Sequence, residues 1–288
     1  MWKQLKKLTA GISLVAVLTF CVGIRHVEAA LPSLANFPQS ANIQGRWKLD
    51  EASGTRADGS GNSNTLADNA TVMSADGISE GWASSALAAL YVSANSEYLS
   101  IADGSQTGLD VTGDMTISSW FYLGTSPGTG VAYGIVGKME FAAGKRSYVF
   151  YYEDDSDTEY LSFGVSSDGS STTAKRVAKT LSTSTWYHLT AVYDASAGDV
   201  TFYVDGSIEG SAQSGLPNSV YDGNGYFCVG SYNPGFFFME GRLQETIIWD
   251  SELSASDVSD LYDTYQNAPA SAGPNVIIIV FHALPKHA

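Results

Sequence analysis

Cysteine is almost missing from this chain: two in 288 residues, Cys21 and Cys228. Cys21 sits in an apolar N-terminal run read below as a leader. Without it Cys228 stands alone, so no intrachain disulfide can form. Its neighbours, Tyr226-Phe227-Cys228-Val229-Gly230, have the pattern of a buried strand, where a thiol serves as a small core residue. Histidine is nearly as scarce. His26, His282 and His287 lie towards the ends, and His188 falls in an apolar run that reads as packed core. No Ser/His/Asp set, zinc-ligand spacing or phosphate-binding glycine loop is visible. Basic residues are outnumbered, 15 Lys and Arg against 30 Asp and Glu, for a net charge of −15. A surface of that sign repels nucleic acid and anionic membranes, so neither is expected as a partner. Repeats and low-complexity blocks are also lacking.

One long apolar run is present, over residues 8–24, behind Lys3, Lys6 and Lys7. Val27-Glu28-Ala29 then supplies the small residues of a cleavage site. Residues 1–29 are therefore expected to be a secretory signal peptide. Thr9, Gly11, Ser13 and Thr19 interrupt the run and weigh against a membrane anchor. Phe20 is too large to precede a lipid-modified cysteine. Cleavage would remove four basic and one acidic side chain and leave a still more acidic product. The expected location is extracellular or periplasmic, with no membrane insertion after cleavage. Residues 30–42 read as a linker.

From residue 43 onward, aromatic and β-branched runs alternate with Gly, Asn, Asp and Ser clusters. Strands are expected over residues 43–49, 97–101, 147–152, 160–165, 186–193, 226–230 and 241–249. Between 147–152 and 160–165, residues 153–159 read as an acidic turn. Met115, Ile117, Phe121 and Leu123 fall on one face of a further strand, with Thr116, Ser118, Trp120 and Tyr122 on the other. Bulk on both faces predicts a strand covered on both sides, in the middle of a sheet. Val200, Phe202 and Val204 alternate with Thr201 and Tyr203 ahead of Asp205-Gly206, a type I′ hairpin signal. Near the end, Ser254 and Asp257 form a capping box, and Val258, Leu261, Tyr262 and Tyr265 make one helical stripe. That helix is expected to close an edge or end of the structure. Many strands and one helix imply an all-β sandwich or jelly roll.

Several segments, in order, resemble the laminin-G-like, concanavalin A-like jelly-roll family. They are Gly45-Arg46-Trp47-Lys48-Leu49-Asp50-Glu51 with the loop Asp58-Gly59-Ser60-Gly61-Asn62-Ser63-Asn64, then Met115-Thr116-Ile117-Ser118-Ser119-Trp120. Next come Trp186-Tyr187-His188-Leu189-Thr190-Ala191-Val192-Tyr193-Asp194 and Phe202-Tyr203-Val204-Asp205-Gly206. Gly241-Arg242-Leu243-Gln244-Glu245-Thr246-Ile247-Ile248-Trp249 and Leu253-Ser254 complete the set. The resemblance assigns residues 43–266 to one domain, a two-sheet jelly-roll sandwich with a short C-terminal helix. It implies carbohydrate or extracellular protein as partner, and a structural Ca²⁺ as cofactor.

Calcium takes six to eight oxygen ligands. Asp58, Asn62 and Asn64 of the opening loop would be joined by Gln244 and Glu245 of the closing strand. Gln244 stands where similar domains carry an aspartate. An ordinary Asx-rich turn is the alternative. Glu153, Asp154, Asp155, Asp157 and Glu159 invite comparison with family-16 glycoside hydrolases, which share this fold type. Those enzymes place two carboxylates on one strand as Glu-x-Asp-x-Glu or Glu-x-Asp-x-x-Glu, and retaining chemistry needs them about 5–5.5 Å apart. Here Glu159 falls one residue too late, so the segment reads as solvated charge and no catalytic residue is assigned. In Tyr232-Asn233-Pro234-Gly235-Phe236-Phe237-Phe238-Met239, neighbouring side chains must alternate faces, so at least one ring is exposed or covers a loop. Tyr232, Phe236 and Phe237 are candidate ligand-stacking rings. The alternative is a loop tucked over the sandwich edge.

Residues 267–288 read as a linker and an apolar tail. Within it, Pro274-Asn275-Val276-Ile277-Ile278-Ile279-Val280 resembles the opening strand of sulfatases of the alkaline-phosphatase type. Phe281 and His282 follow where those enzymes have metal-binding aspartates. The expectation is a secreted, non-catalytic module for glycan binding or adhesion. The alternatives are a structural or protein–protein module once fused to an enzyme such as a sulfatase, and a glycoside hydrolase.

Overall fold

A computed structural model describes residues 33–78 and 87–266. The expected leader and tail lie outside them. In chain order the strands are β1 (Ile43–Trp47), β2 (Ala67–Asn69), β3 (Met73–Asp76), β4 (Leu87–Tyr91), β5 (Tyr98–Ile101), β6 (Met115–Leu123), β7 (Ala132–Met139), β8 (Arg146–Asp155) and β9 (Thr158–Val165). They continue with β10 (Thr173–Ala178), β11 (Trp186–Asp194), β12 (Asp199–Val204), β13 (Ser207–Ser214), β14 (Phe227–Val229), β15 (Ser231–Asn233), β16 (Phe236–Phe238) and β17 (Gly241–Trp249), and helix α1 (Ala255–Gln266) follows. A first antiparallel sheet runs β13-β12-β11-β6-β17-β4-β3, with β1 also on β17. A second runs β10-β9-β8-β7-β14-β5-β2. β15 and β16 form a separate hairpin. The result is the two-sheet jelly-roll sandwich expected from the sequence.

β6 behaves as its two-sided pattern requires. It lies between β11 and β17. Met115, Ile117, Phe121 and Leu123 enter the core between the sheets, while Trp120 faces outward into a second cluster. The main core is rich in rings that meet across it, such as Phe121 with Tyr152 at 5.8 Å and Phe163 with Tyr193 at 5.7 Å. Cys228 is buried within β14, and burial raises its thiol well above the usual range. β17 changes partner midway. Its first residues pair with β4 and its last with β1, and Glu245, at φ 50°, marks the irregularity between them. Asp205 and Gly206, both at positive φ, make the expected tight turn between β12 and β13.

Three expectations are corrected. Helix α1 has the expected capping box, with Ser254 Oγ accepting the Asp257 N–H and an Asp257 oxygen accepting the Ser254 N–H. It does not close an edge or end. Val258, Leu261 and Tyr265 pack with Trp120, Ile247 and Trp249 on the outer face of the first sheet. The supposed linker is part of the same layer: Phe37 is buried 5.6 Å from the Tyr265 ring, and Pro38 O accepts the Trp249 indole N–H at 3.1 Å. The acidic segment is not one long turn. β8 continues to Asp155, β9 starts at Thr158, and only Ser156 and Asp157, both at positive φ, make the bend.

His188 is a packed residue, as expected. It lies wholly buried between Trp120, Tyr262 and Tyr265, 2.8 Å from the Ser118 hydroxyl. Burial pushes its imidazole down to about 3.

Two measurements follow. Phe37→Ala should lower the unfolding free energy by about 3 kcal/mol in urea denaturation; an unchanged value would restore the linker reading. An unfolded imidazole takes up its proton near 6.5, whereas the native one resists it down to about 3. Stability should therefore fall as pH drops through that window, by up to ~1.4 kcal/mol per unit. His188→Gln should flatten that slope by up to one proton, and an identical slope in the variant would assign the pH dependence elsewhere.

Candidate functional site

The calcium candidates separate into two groups. Asp58 Oδ1 accepts the N–H groups of Arg46 at 3.0 Å and Ser60 at 2.8 Å. Its Oδ2 accepts the Ser60 hydroxyl at 2.7 Å and the Asn64 N–H at 2.9 Å. Asn62 and Asn64 both point their amide nitrogens at the Gln44 carbonyl, 3.0 Å away. Glu245 is buried in a two-pronged ion pair with Arg46, each contact 2.9 Å. Gln244 accepts the Ile78 N–H at 3.0 Å. A calcium ion needs oxygens facing a shared centre; here the carboxylates already hold protein donors and two amides present N–H groups. The set does not fit the ion in this arrangement. Among the described residues no group of three or more His, Cys, Asp or Glu side chains could hold a metal.

A side chain supplies a cation where loop carboxylates converge. Lys138 is fully buried, and its ammonium lies 2.7 Å from Asp103 and 2.8 Å from Asp110 and also bonds the Gly223 carbonyl. It ties two loops to β7. Sequence reasoning missed it, because nothing local distinguishes a lysine inside an apolar strand.

The acidic segment also departs from expectation. Glu159 is buried, with the Tyr152 hydroxyl donating to it at 2.7 Å, so it is not solvated turn charge. Glu153 and Asp155 are alternate residues of β8 and share one face. Glu153 accepts the Ser162 hydroxyl at 2.6 Å and lies 3.6 Å from Arg176, while Asp155 accepts Arg176 Nη2 at 2.8 Å. That hydrogen bond holds the Asp155 carboxyl below the usual carboxylate range. The Arg176 guanidinium covers the Tyr160 ring at 4.0 Å.

The aromatic hairpin lies against this same face. Tyr148, Phe150 and Tyr152 of β8 point into the main core, whereas Val149 and Tyr151 point outward and pack with Tyr232. β15 runs along β7, where Gly134 and Gly137 leave room for it: a Cβ on either would overlap the main chain of Ser231 or Tyr232. Asn233 fixes the bend by accepting the Gly235 N–H at 2.9 Å and donating to Met139 O at 3.1 Å.

Of the three candidate rings, Tyr232 is buried and serves as a floor, Phe237 is half-buried, and Phe236 is 54% exposed. Phe141, which the sequence reading did not select, is 45% exposed and lies 5.5 Å from Phe236 and 5.4 Å from Tyr232. Tyr151 continues the cluster, 5.2 Å from Tyr232. Burial, with Glu153 adding to it, pushes the Tyr232 hydroxyl up to about 12 and raises that of Tyr151 as well. Glu153 follows Tyr151 on the same face of β8, so the aromatic shelf runs on into the Ser162–Glu153–Arg176 row.

Gly134→Ala should dislodge the hairpin, seen as lost near-ultraviolet ellipticity and a lower melting point; a melting point and spectrum like those of the parent would show that β15 tolerates the methyl. Asp58→Ala should lower the melting point by the same amount in excess Ca²⁺ and in chelator. A Ca²⁺-dependent rise in the parent that is absent from the variant would place an ion in that loop.

The model of the Laminin_G_3 family, described as the concanavalin A-like lectin/glucanases superfamily, matches residues 93–259. Among solved structures, the binding domain of Paraclostridial Mosquitocidal Protein 1 superposes with a TM-score of 0.58 at 18% identity, over 78% of this chain and 52% of that one. The binding domain of botulinum neurotoxin DC, solved in complex with SialylT, gives 0.57 at 12% identity over the same shares. Domain 4 of AbnA, a GH43 extracellular arabinanase from Geobacillus stearothermophilus, solved in complex with arabinotriose, gives 0.51 at 19% identity, over 77% of this chain and 98% of that one. The chain thus spans about half the length of the toxin domains it matches. No curated protein sequence matches it. These likenesses agree with the two-sheet fold, and the chain belongs to the concanavalin A-like lectin/glucanase superfamily.

Proposed function

We propose that this protein is a secreted, non-catalytic module that binds carbohydrate on the outer face of its second sheet. The observation that carries the reading is the shelf itself: the exposed rings of Phe141 and Phe236, backed by Tyr232, Phe237 and Tyr151, beside a row of hydrogen-bonding groups. A sugar ring has an apolar C–H face and an edge of hydroxyls. The phenyl faces suit the first, and Glu153, Ser162 and Arg176 suit the second. A purely apolar partner would leave that polar row without use. Similarly folded domains solved with SialylT and with arabinotriose support the class of ligand, and the leader pattern of residues 1–29 supports secretion.

Catalysis is disfavoured by the same geometry. Retaining hydrolysis needs one ionised and one protonated carboxyl. Glu153 and Asp155 lie on either side of one guanidinium, which keeps Asp155 ionised. Glu159, the remaining acid of the motif, is buried against Tyr152.

A glycan array followed by calorimetry should find a saccharide whose binding weakens about tenfold, ~1.4 kcal/mol, in Phe236→Ala or Phe141→Ala, with melting unchanged. Binding that survives the double substitution would remove the shelf from the site. Release of reducing sugar from arabinan or β-glucan, abolished by Glu153→Gln, would make the protein an enzyme.

A further inference from the structure

We infer that the outer face of the first sheet carries a second saccharide subsite, a pocket beside α1 that continues into a row of half-buried rings. The inference takes up the carbohydrate reading but uses none of the shelf residues. The pocket has a volume of about 450 Å³, within the usual range for small-molecule sites, roughly 300–1,000 Å³. Trp120 of β6 lines it from the sheet, Tyr262 and Gln266 from the helix, Trp186 from the start of β11 and Thr185 from the loop before it, and Asp205 from the turn between β12 and β13.

The chemistry is mixed in the way a sugar requires. Two half-buried rings, Trp186 and Tyr262, stand over the buried Trp120, while a carboxylate, an amide and a hydroxyl supply partners for an edge of hydroxyls. A purely apolar ligand would leave Asp205 unmatched. An anion would meet that carboxylate in a chain of net charge −15. Asp205 is also held in place. Its Oδ1 accepts the His188 N–H at 2.8 Å, and its own N–H donates to His188 O at 2.8 Å. Oδ2 receives no hydrogen bond among the described residues and is left to accept one from a ligand hydroxyl.

Beyond the pocket, strand register sets Trp186 opposite Tyr122, and Tyr122 opposite Arg242. The Trp186 and Tyr122 rings lie 5.4 Å apart, and the Arg242 guanidinium covers Tyr122 at 4.6 Å. These side chains are half-buried on the outward face and are not members of the core between the sheets. Three adjacent strands place them over about 10 Å. Trp186 belongs to both the pocket and the row, so an oligosaccharide seated in the pocket would next meet the Tyr122 ring of β6 and the Arg242 guanidinium of β17.

Tryptophan emission separates this site from the shelf, because the shelf rings are all Phe and Tyr. The probes are arabinotriose, xylotriose, cellotriose and mannotriose, titrated into the protein. At least one should shift the emission saturably. Asp205→Asn keeps a turn-forming Asn-Gly pair, and it and Trp186→Ala should each weaken the response about tenfold or more. Phe236→Ala should leave it unchanged. No saturable shift with any of the four, a shift that survives both pocket substitutions, or one lost in Phe236→Ala would overturn the second subsite. Calorimetric binding abolished by Phe141→Ala and Phe236→Ala, with silent tryptophans, would overturn it and leave the shelf standing; the reverse pattern would overturn the shelf and support the pocket.

Discussion

The close approach of two backbones, β15 onto β7, is the constraint on which the outer face of the second sheet depends. Gly134 and Gly137 permit it, and a methyl at either position would occupy the space of the Ser231–Tyr232 main chain. Because β15 sits this low, the Tyr232 ring reaches Tyr151 and becomes a floor. The Pro234-Gly235 bend then turns β16 back above the sheet, which leaves Phe236 in solvent beside Phe141. Had larger residues stood at the two glycines, the hairpin would have been lifted and its rings spread apart. A backbone contact therefore decides whether these aromatics form one surface or several.

A β-sandwich with no disulfide among its described residues must restrain its loops by some other means, and buried cations do this here. Arg46 bridges β1 to Glu245 at the point where β17 exchanges partners. Arg56 donates to the carbonyls of Gly54 and Val72, closing the loop around residues 54–72. Lys138 gathers Asp103, Asp110 and the Gly223 carbonyl onto β7. Buried pairs of this kind add little net stability over well-packed apolar groups, but breaking one leaves an uncompensated charge. Their contribution is to single out one loop arrangement. They also explain why the Asp58 loop closes on protein donors: Arg46 supplies both the N–H held by Asp58 and the guanidinium held by Glu245.

Much of the sandwich was legible because its signals are local. The two-faced pattern of β6, Asp205-Gly206 and the Ser254–Asp257 box each act within a few residues, and each is realised. What escaped has a physical reason. β7 carries Gly134, Gly137 and Lys138, which break the apolar alternation, although the glycines serve the hairpin and the lysine serves the loops. β13, an edge strand of small and polar residues apart from an exposed Ile208, has no buried side chain to betray it. The bend at Ser156-Asp157 holds two non-glycine residues at positive φ, so the acids around it looked like loop when they belong to strands. Phe141 lies about ninety positions before Tyr232 in the chain, and only the pairing of β7 with β8 beneath the hairpin unites them.

The placement of aromatic side chains carries the functional argument one step further. A two-sheet sandwich needs large apolar groups only between its sheets. Here the helix layer explains the outward Trp120 and Trp249, which it buries. It covers Trp186 only in part, and Tyr122 stays half-buried beside Trp186 without joining that cluster. Nor does packing require Phe141 and Phe236 in solvent. Rings that are exposed on one outer face and half-buried on the other, each beside carboxylate and guanidinium groups, exceed what packing between the sheets requires in a chain whose net charge is strongly acidic. Such a surplus exposes apolar area at a cost to solubility. It is tolerable where a ligand with both an apolar face and a polar edge covers it, and that combination is a property of saccharides.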